Sequence, residues 1–287
     1  MKKTIQKKVL TGERALFMAK DMDITDAIFE NGESPLKESA DVNVKNSVFR
    51  WKYPLWYAKN AAVNGSQLLD GARAGIWYTD GIQVVDSTIE APKAFRRSKN
   101  ISLEHVHMPN ASETLWMCEG VEMHDVSAHG NYFAMNSSNI CAEDFRLTGN
   151  YSFDGCKDVW MRNATLLSKD AFWNCEDVVV IDSFITGEYI GWNSRNLTFI
   201  NCTIESLQGF CYIQGLKLQN CRLLHTDLAF EYCSDIQADI VTEIESVKNP
   251  ISGMISARGI GEIIFDDPSI DSKNTTILIT GEMQDAV

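Results

Sequence analysis

The feature that most constrains this chain is a repeat. A short unit reading Asn/Asp/Gly, apolar, any, apolar, any, Asn/Asp recurs from Gly81 (GIQVVDS) through Asn100, Gly120, Asn139, Asp158, Asp177, Asn196 and Gly215 to Asp235, in steps of 19, 20, 19, 19, 19, 19, 19 and 20 residues. Asp21 and Asp41 keep the phase upstream, with a degenerate turn near Asn60. Self-similarity at a fixed short period is the mark of a solenoid, in which each unit buries its apolar face only by stacking on its neighbours. Apolar residues stand one and three positions after each anchor, as at Ile101 and Leu103 or Leu197 and Phe199. That is the period of a strand with one buried face, not of a helix.

The Asn/Asp five residues past the anchor (Asp86, Asp125, Asn163, Asn201, Asn220) suits a bend, because a short amide or carboxylate bonds its own backbone and tolerates a left-handed conformation. A second strand follows, with Ser87, Ser183, Cys202 and Cys221 and then Ile89, Leu166, Ile185, Ile204 and Leu223 directed inward. After a Gly/Ser-rich turn comes an aromatic-rich third segment whose inward row reads Leu55, Ile76, Phe95, Leu115, Phe153, Phe172, Phe210 and Phe230. Three stacked parallel strands per turn predict an all-β fold, a single-stranded right-handed parallel β-helix of about 11–12 coils with about 19 residues per coil. Leucine-rich and hexapeptide solenoids need spacings that are not found. The expected organisation is one domain, with residues 1–18 as an N-terminal cap, 19–242 as coils, and 243–287 as C-terminal cap strands that protect the last edge.

Composition narrows the partners. A formal net charge of −13 opposes a sequence-independent grip on nucleic acid, which needs a basic stripe to displace counterions. No run of 18 apolar residues and no signal-length apolar stretch occurs, so the expectation is a soluble, cytoplasmic protein without a membrane partner. Eight cysteines in a chain of this length read as free thiols. Four of them, Cys118, Cys156, Cys175 and Cys233, share one phase with Ser137 and Ser194, which marks a small ladder residue. No CxxC occurs and no metal site is expected. His105, His107, His124 and His129 fall on two adjacent coils and read as surface residues. Nucleotide and cofactor fingerprints are absent, so no cofactor is expected; GARAG (Gly71 to Gly75) lacks the strand-to-helix setting of a phosphate loop.

The unusual chemistry lies in the third segment. All eight tyrosines and six of the seven tryptophans fall there or just before it. Four residues ahead of each anchor stand Trp56, Trp77, Arg96, Trp116, Met135, Asp154, Trp173, Trp192, Cys211 and Glu231, which by alternation point outward. Aromatic faces interleaved with carboxylate and guanidinium suit sugar rings, and equally suit a protein interface or the underside of a loop. On the sugar reading Trp77, Trp116, Trp173 and Trp192 stack on rings and Arg96, within a basic cluster of Arg73, Lys93, Arg97 and Lys99, pairs a uronate or phosphate. Asp154 with Asp170 would supply acid and base at the separation that glycoside hydrolysis requires. The candidate partner is then an oligosaccharide or sugar conjugate. On the alternative reading the face is a noncatalytic scaffold surface or an oligomer interface.

Longer segments carry a resemblance: GERALF (Gly12 to Phe17), GESPLKES (Gly32 to Ser39), WKYPLWY (Trp51 to Tyr57), RAGIWY (Arg73 to Tyr78), NYSFDG (Asn150 to Gly155), SKDAFWNCE (Ser168 to Glu176), GEYIGWNS (Gly187 to Ser194) and SVKNPISG (Ser246 to Gly253). Over nearly its whole length the chain resembles the uncharacterised bacterial proteins of domain-of-unknown-function family 3737. That resemblance implies a pectin-lyase-like right-handed β-helix and carries no reaction or catalytic residue with it. The Asn-Thr-Asp, Gly-His-Gly and Arg-Ile-Lys segments of polygalacturonases are missing. A shared fold would not supply their activity.

Overall fold

The structure, a computed structural model, describes residues 2–281. The protein is an all-β, parallel β-helix with about 19 residues per turn and about 15 turns, as the repeat predicts in kind though not in number. It divides into two compact units, Met1–Gly149 and Asn150–Val287, and each is treated by itself.

In the first unit Lys20–Thr25, Ala40–Lys45, Lys59–Asn64, Asp80–Val85, Lys99–Met108, Glu119–His129 and Ser138–Glu143 pair in parallel, each in register with the strand one coil on. In the second, Lys157–Arg162, Glu176–Ile181, Arg195–Ile200, Gln214–Leu224 and Ile236–Lys248 do the same. The coil count exceeds the expected 11–12 because the register runs on at both ends. Lys3–Gln6 pairs in parallel with Lys20–Thr25, and Gly253–Ile264 and Thr275–Ile279 continue the stack beyond Ile236–Lys248. The late steps, from Ile236 to Gly253 and from Gly253 to Thr275, are 17 and 22 residues, so the 19-residue period no longer reveals them.

The bends are backbone-driven. The anchors Asp21, Asp41, Asn60, Asn100, Asp158, Asp177 and Asn196 all hold φ between 48 and 58°, and Asp86, Asp125, Asn163, Asp182, Asn201 and Asn220 hold φ between 47 and 53°. This left-handed region is costly for most residues and tolerated by Asn and Asp, which explains the spacing of these two rows. Inside the second bend a hydroxyl ladder satisfies the backbone. The Ser47, Ser66 and Ser87 hydroxyls accept from the N–H one coil back and donate to the carbonyl two residues earlier. Buried backbone polar groups left unpaired would be expensive, so the ladder is a condition of the bend.

The third side differs from expectation. Among the described residues only Ile76–Trp77 and Phe95–Arg96 pair as strands there. In other coils the inward residue itself turns, with Leu115, Phe153, Phe172, Phe210 and Phe230 at φ between 59 and 67°. Their rings are nonetheless wholly buried, and in the second unit Phe153–Phe172 and Phe210–Phe230 stack at centroid distances of 5.4 and 6.0 Å. Burial of this ring column, at roughly 25 cal/mol per Å² of apolar surface, favours the strained turns despite their backbone cost.

Candidate functional site

The aromatic side of each coil carries three adjacent rows: a bend residue seven before the anchor, the indole row four before it, and an outer row three before it. The rows are linked by one recurring bond. The Trp56, Trp77 and Trp116 indole N–H groups donate to the carbonyls of Ala74, Lys93 and Tyr132, the bend residues of the following coil, at 2.6 to 2.8 Å. Each tryptophan therefore lies across the next coil, half-buried, instead of standing away from the surface.

In the first unit this produces a closed stack. Trp56 and Trp77 are parallel within 7° at 5.3 Å, and Tyr57 and Tyr78 within 7° at 4.8 Å. Arg96 takes the next place in the indole row, and its guanidinium lies 4.6 Å from the ring centre of Trp77 on one side and 4.6 Å from that of Trp116 on the other. Glu113, the bend residue of the next coil, accepts from Arg96 Nη2 at 3.4 Å and pairs with Lys93 at 3.0 Å. Both planes of the guanidinium and both faces of the Trp77 ring are covered from within the protein. The buried Arg96 Nε has no acceptor. Lys99 is engaged by Glu119 at 2.6 Å, an ion pair that raises its pKa, while Arg73 and Arg97 are exposed.

The second unit keeps the register but opens the stack. Trp173 still donates its N–H to the Tyr189 carbonyl at 2.8 Å. Trp192 does not follow. It is tilted 47° from Trp173 at 5.0 Å and edge-on to Tyr212, its indole N–H bonds no group among the described residues, and the Gln208 carbonyl it would reach accepts a weak bond from Cys211 Sγ. The local cause is Gly191, which stands in the inward Phe row at φ 75°; a Cβ there would meet Leu197 and Ile213, which fill the space themselves.

Asp154 occupies the indole row one coil before Trp173, and Asp170 is the bend residue that a tryptophan at 154 would cover. The 16-residue offset is that of Trp77 to Lys93 and Trp116 to Tyr132. The short Asp154 side chain turns instead to the outer row, where it accepts from Asn174 Nδ2 at 2.8 Å, and Asn174 Oδ1 accepts from Asn193 Nδ2 at 2.8 Å. An amide ladder thus borders the two tryptophans; the matching positions of Asn174 and Asn193 in the repeat were its only signal in sequence.

Asp170 lacks the missing indole's cover and is still only 9% exposed. Its carboxyl makes no hydrogen bond among the described residues, and its pKa is raised first by burial and next by the Glu188 carboxylate, against a smaller lowering by the Lys169 ammonium. Lys169 itself is held by Glu188 at 2.7 Å. The charges acting on Asp170 are therefore those of Glu188 and Lys169, and the carboxylate of Asp154 is directed to Asn174. Glu231, at the far end of the indole row, pairs with Lys248 at 3.3 Å and accepts from Gln208 at 3.1 Å.

The remaining candidates have local roles. Cys118 and Cys175 sit in a ladder with Ser137 and Ser194, whose hydroxyls accept from the cysteine N–H groups at 2.8 Å; burial pushes the Cys118 thiol up to about 12. His105 and His124 face Asp86 and Asp144, and His107 bonds the Ser127 hydroxyl. Among the described residues no group of three or more His, Cys, Asp or Glu side chains converges to hold a metal ion, and no helix is long and apolar enough to cross a membrane.

Comparison with curated proteins finds no match. Among solved structures, the surface adhesin PfbA of Streptococcus pneumoniae is similar over 77% of this chain and 71% of its own, at 13% identity and a TM-score of 0.39. The mannuronan C-5 epimerase AlgE4 A-module of Azotobacter vinelandii is similar over 98% and 90%, at 8% identity and a TM-score of 0.31. A family 28 exopolygalacturonase of Yersinia enterocolitica is similar over 97% and 73%, at 9% identity and a TM-score of 0.28. Likeness this remote carries no argument about activity. The sequence itself matches the family described as protein of unknown function DUF3737 over residues 3–278, and the chain belongs to that family.

Proposed function

We propose that the aromatic side of residues 150–287 binds an oligosaccharide. The observation that carries this is Trp192: its ring is tilted 47° from that of Trp173 and its indole N–H bonds no group among the described residues, beside the amide ladder of Asp154, Asn174 and Asn193. A pyranose offers an apolar C–H face to an aromatic ring and a rim of hydroxyls to amides and carboxylates, and a site for it needs both in one place. Trp173 and Trp192 are the ring platforms on this reading, and Asp154, Asn174 and Asn193 the hydroxyl partners. Catalysis by Asp154 with Asp170 is a further step that binding does not require.

The test is a thermal-shift and calorimetric screen of the purified chain against neutral, acidic and basic oligosaccharides, since a ligand that binds only the folded state raises its stability. Binding that is lost in Trp192→Ala and kept in Trp77→Ala supports the reading. Binding lost only in Trp77→Ala moves the site to the first unit. No binding to any class sinks the proposal.

The first unit favours a second reading for itself. Phe17, Met18, Trp51, Tyr57, Met117 and Tyr132 are each 39 to 51% exposed on its aromatic side, a pattern suited to a protein partner. Sedimentation of Tyr57→Ser and Met117→Ser variants against the parent checks whether that partner is a second copy.

A further inference from the structure

We infer that the glycan recognised by residues 150–287 is a basic one, an oligosaccharide carrying free amino groups, with the carboxylate of Asp170 as the counterion of the bound ammonium. This rests on the glycan-binding reading and names its ligand class.

Three observations converge. Asp170 is only 9% exposed as a residue, and its carboxyl, whose oxygens still reach solvent, has no hydrogen-bond partner among the described residues. Its cover is missing in a defined way: Trp56, Trp77, Trp116 and Trp173 each lay an indole over the next coil's bend residue, and the coil that would cover Asp170 has Asp154 instead. The bend at Asp170 is therefore left without an indole over it. Finally, aromatic residues flank Asp170 in the register. Asp170 shares its row with Tyr151 and Tyr189 of the flanking coils, neighbours at the roughly 4.8 Å spacing of parallel strands, and Tyr151 stands edge-on to Trp173 at 5.9 Å.

Aromatic rings around a carboxylate form the setting in which an ammonium is held, by the ring quadrupoles and by the ion pair together. A carboxylate ligand would meet Asp170, Glu188 and Asp154 at once. Like charges facing one another in a partly desolvated site repel, which excludes uronates more strongly than it favours any neutral sugar. The only cation of the cluster is Lys169, and its ammonium is already bonded to Glu188. The surrounding unit reinforces the choice. Residues 150–287 hold 9 Lys/Arg against 20 Asp/Glu, a net of −11, whereas residues 1–149 hold 17 against 19, a net of −2. A field of that sign gathers cationic ligands and repels anionic ones.

The experiment compares two tetrasaccharides that differ only in charge, a glucosamine tetramer with free amines and its fully N-acetylated form, by calorimetry on the full chain. The pH is about 6, below the range of an ordinary α-amine, so that the amines are charged. The free-amine tetramer is expected to bind at least about tenfold more tightly, the preference falling toward one in Asp170→Asn and shrinking with added salt. Trp192→Ala should weaken both tetramers. Equal affinity for the two forms overturns the inference and leaves the glycan reading standing, as does binding of an oligouronate in preference to both. A response to spermidine equal to that of the tetramer overturns the sugar half of the inference. Failure of every oligosaccharide to bind overturns both readings at once. Circular dichroism of Asp170→Asn verifies that a lost preference is not a lost fold.

Discussion

The two units use one backbone register to opposite ends. In residues 1–149 the aromatic row is filled and self-satisfied: Trp56 on Trp77, Trp77 on Arg96, Arg96 on Trp116, with the indole N–H groups bonded to carbonyls. In residues 150–287 two substitutions into the pattern undo this. Asp154 replaces an indole, and Gly191 removes the inward ring beneath Trp192. The lesson is that a row of tryptophans on a solenoid is not in itself a binding platform. Parallel stacked faces are already in full contact, and a ring tilted out of parallel, as Trp192 is, leaves part of its face open.

The largest expected effect breaks the comparison through stability. Trp77→Ala removes a ring with both faces packed and should cost about 3–5 kcal/mol, whereas Trp192→Ala, losing a ring tilted out of parallel with its neighbour, should cost less than half as much. Paired chemical-denaturation midpoints decide it. Equal losses would mean that the second row is as structural as the first.

Next in size is Arg96. Two ring contacts and a partly buried ion pair with Glu113 together suggest about 2 kcal/mol for Arg96→Ala. Arg96→Lys should recover little of it, because an ammonium cannot lie flat between two indoles. Full recovery by lysine would show that charge, not the sandwich, holds this position.

These contrasts bear on how much could be read from the chain alone. Rows set by backbone necessity were legible: the left-handed bends at Asn and Asp, the Ser/Cys ladders and the inward Ile, Leu and Phe columns each follow from one residue's local physics. The third side was less so. Phe153, Phe172, Phe210 and Phe230 sit in a left-handed conformation that their own propensity opposes, and burial in the stack decides it. The tryptophans were expected to point outward, but the indole N–H seeks a carbonyl on the next coil, a contact between residues 16 apart that alternation along a strand does not encode. Asp154 and Asp170 were paired by row and prove to share a register, yet the chemistry around Asp170 comes from Glu188 and Lys169, whose positions depend on the turn.

A smaller effect sharpens the comparison through pH. The folded pKa of Asp170 lies above its ordinary 3.8, so the native state holds this proton more tightly than the unfolded chain. That contribution to stability is complete below the unfolded value and is lost as pH rises through the folded one. At neutral pH the carboxylate is a burden, facing Glu188 with only Lys169 opposite it. Asp170→Asn should therefore melt higher than the parent at neutral pH, with the gap closing in acid below about the unfolded value. An asparagine variant that melts lower at pH 7 would mean that Asp170 has a stabilising partner in solution.

The smallest expected effect separates the units by their thiols. Cys156, Cys175, Cys202, Cys211, Cys221 and Cys233 of the second unit are all buried, as is Cys118 of the first, and only Cys141 is exposed. Labelling of the native protein with a thiol-specific reagent should reach one site, followed by the other seven only on unfolding. The rate at Cys141 should be slow for an exposed cysteine, because partial burial and the carboxylates of Glu122 and Glu143 all raise its pKa and reduce the thiolate that reacts. Glu122→Gln lowers that pKa and should speed labelling a few-fold at neutral pH. Rapid native labelling of a thiol in residues 150–287 would instead mean that the second unit opens locally, and its tilted Trp192 would then belong to a loosened stack and not to a prepared site.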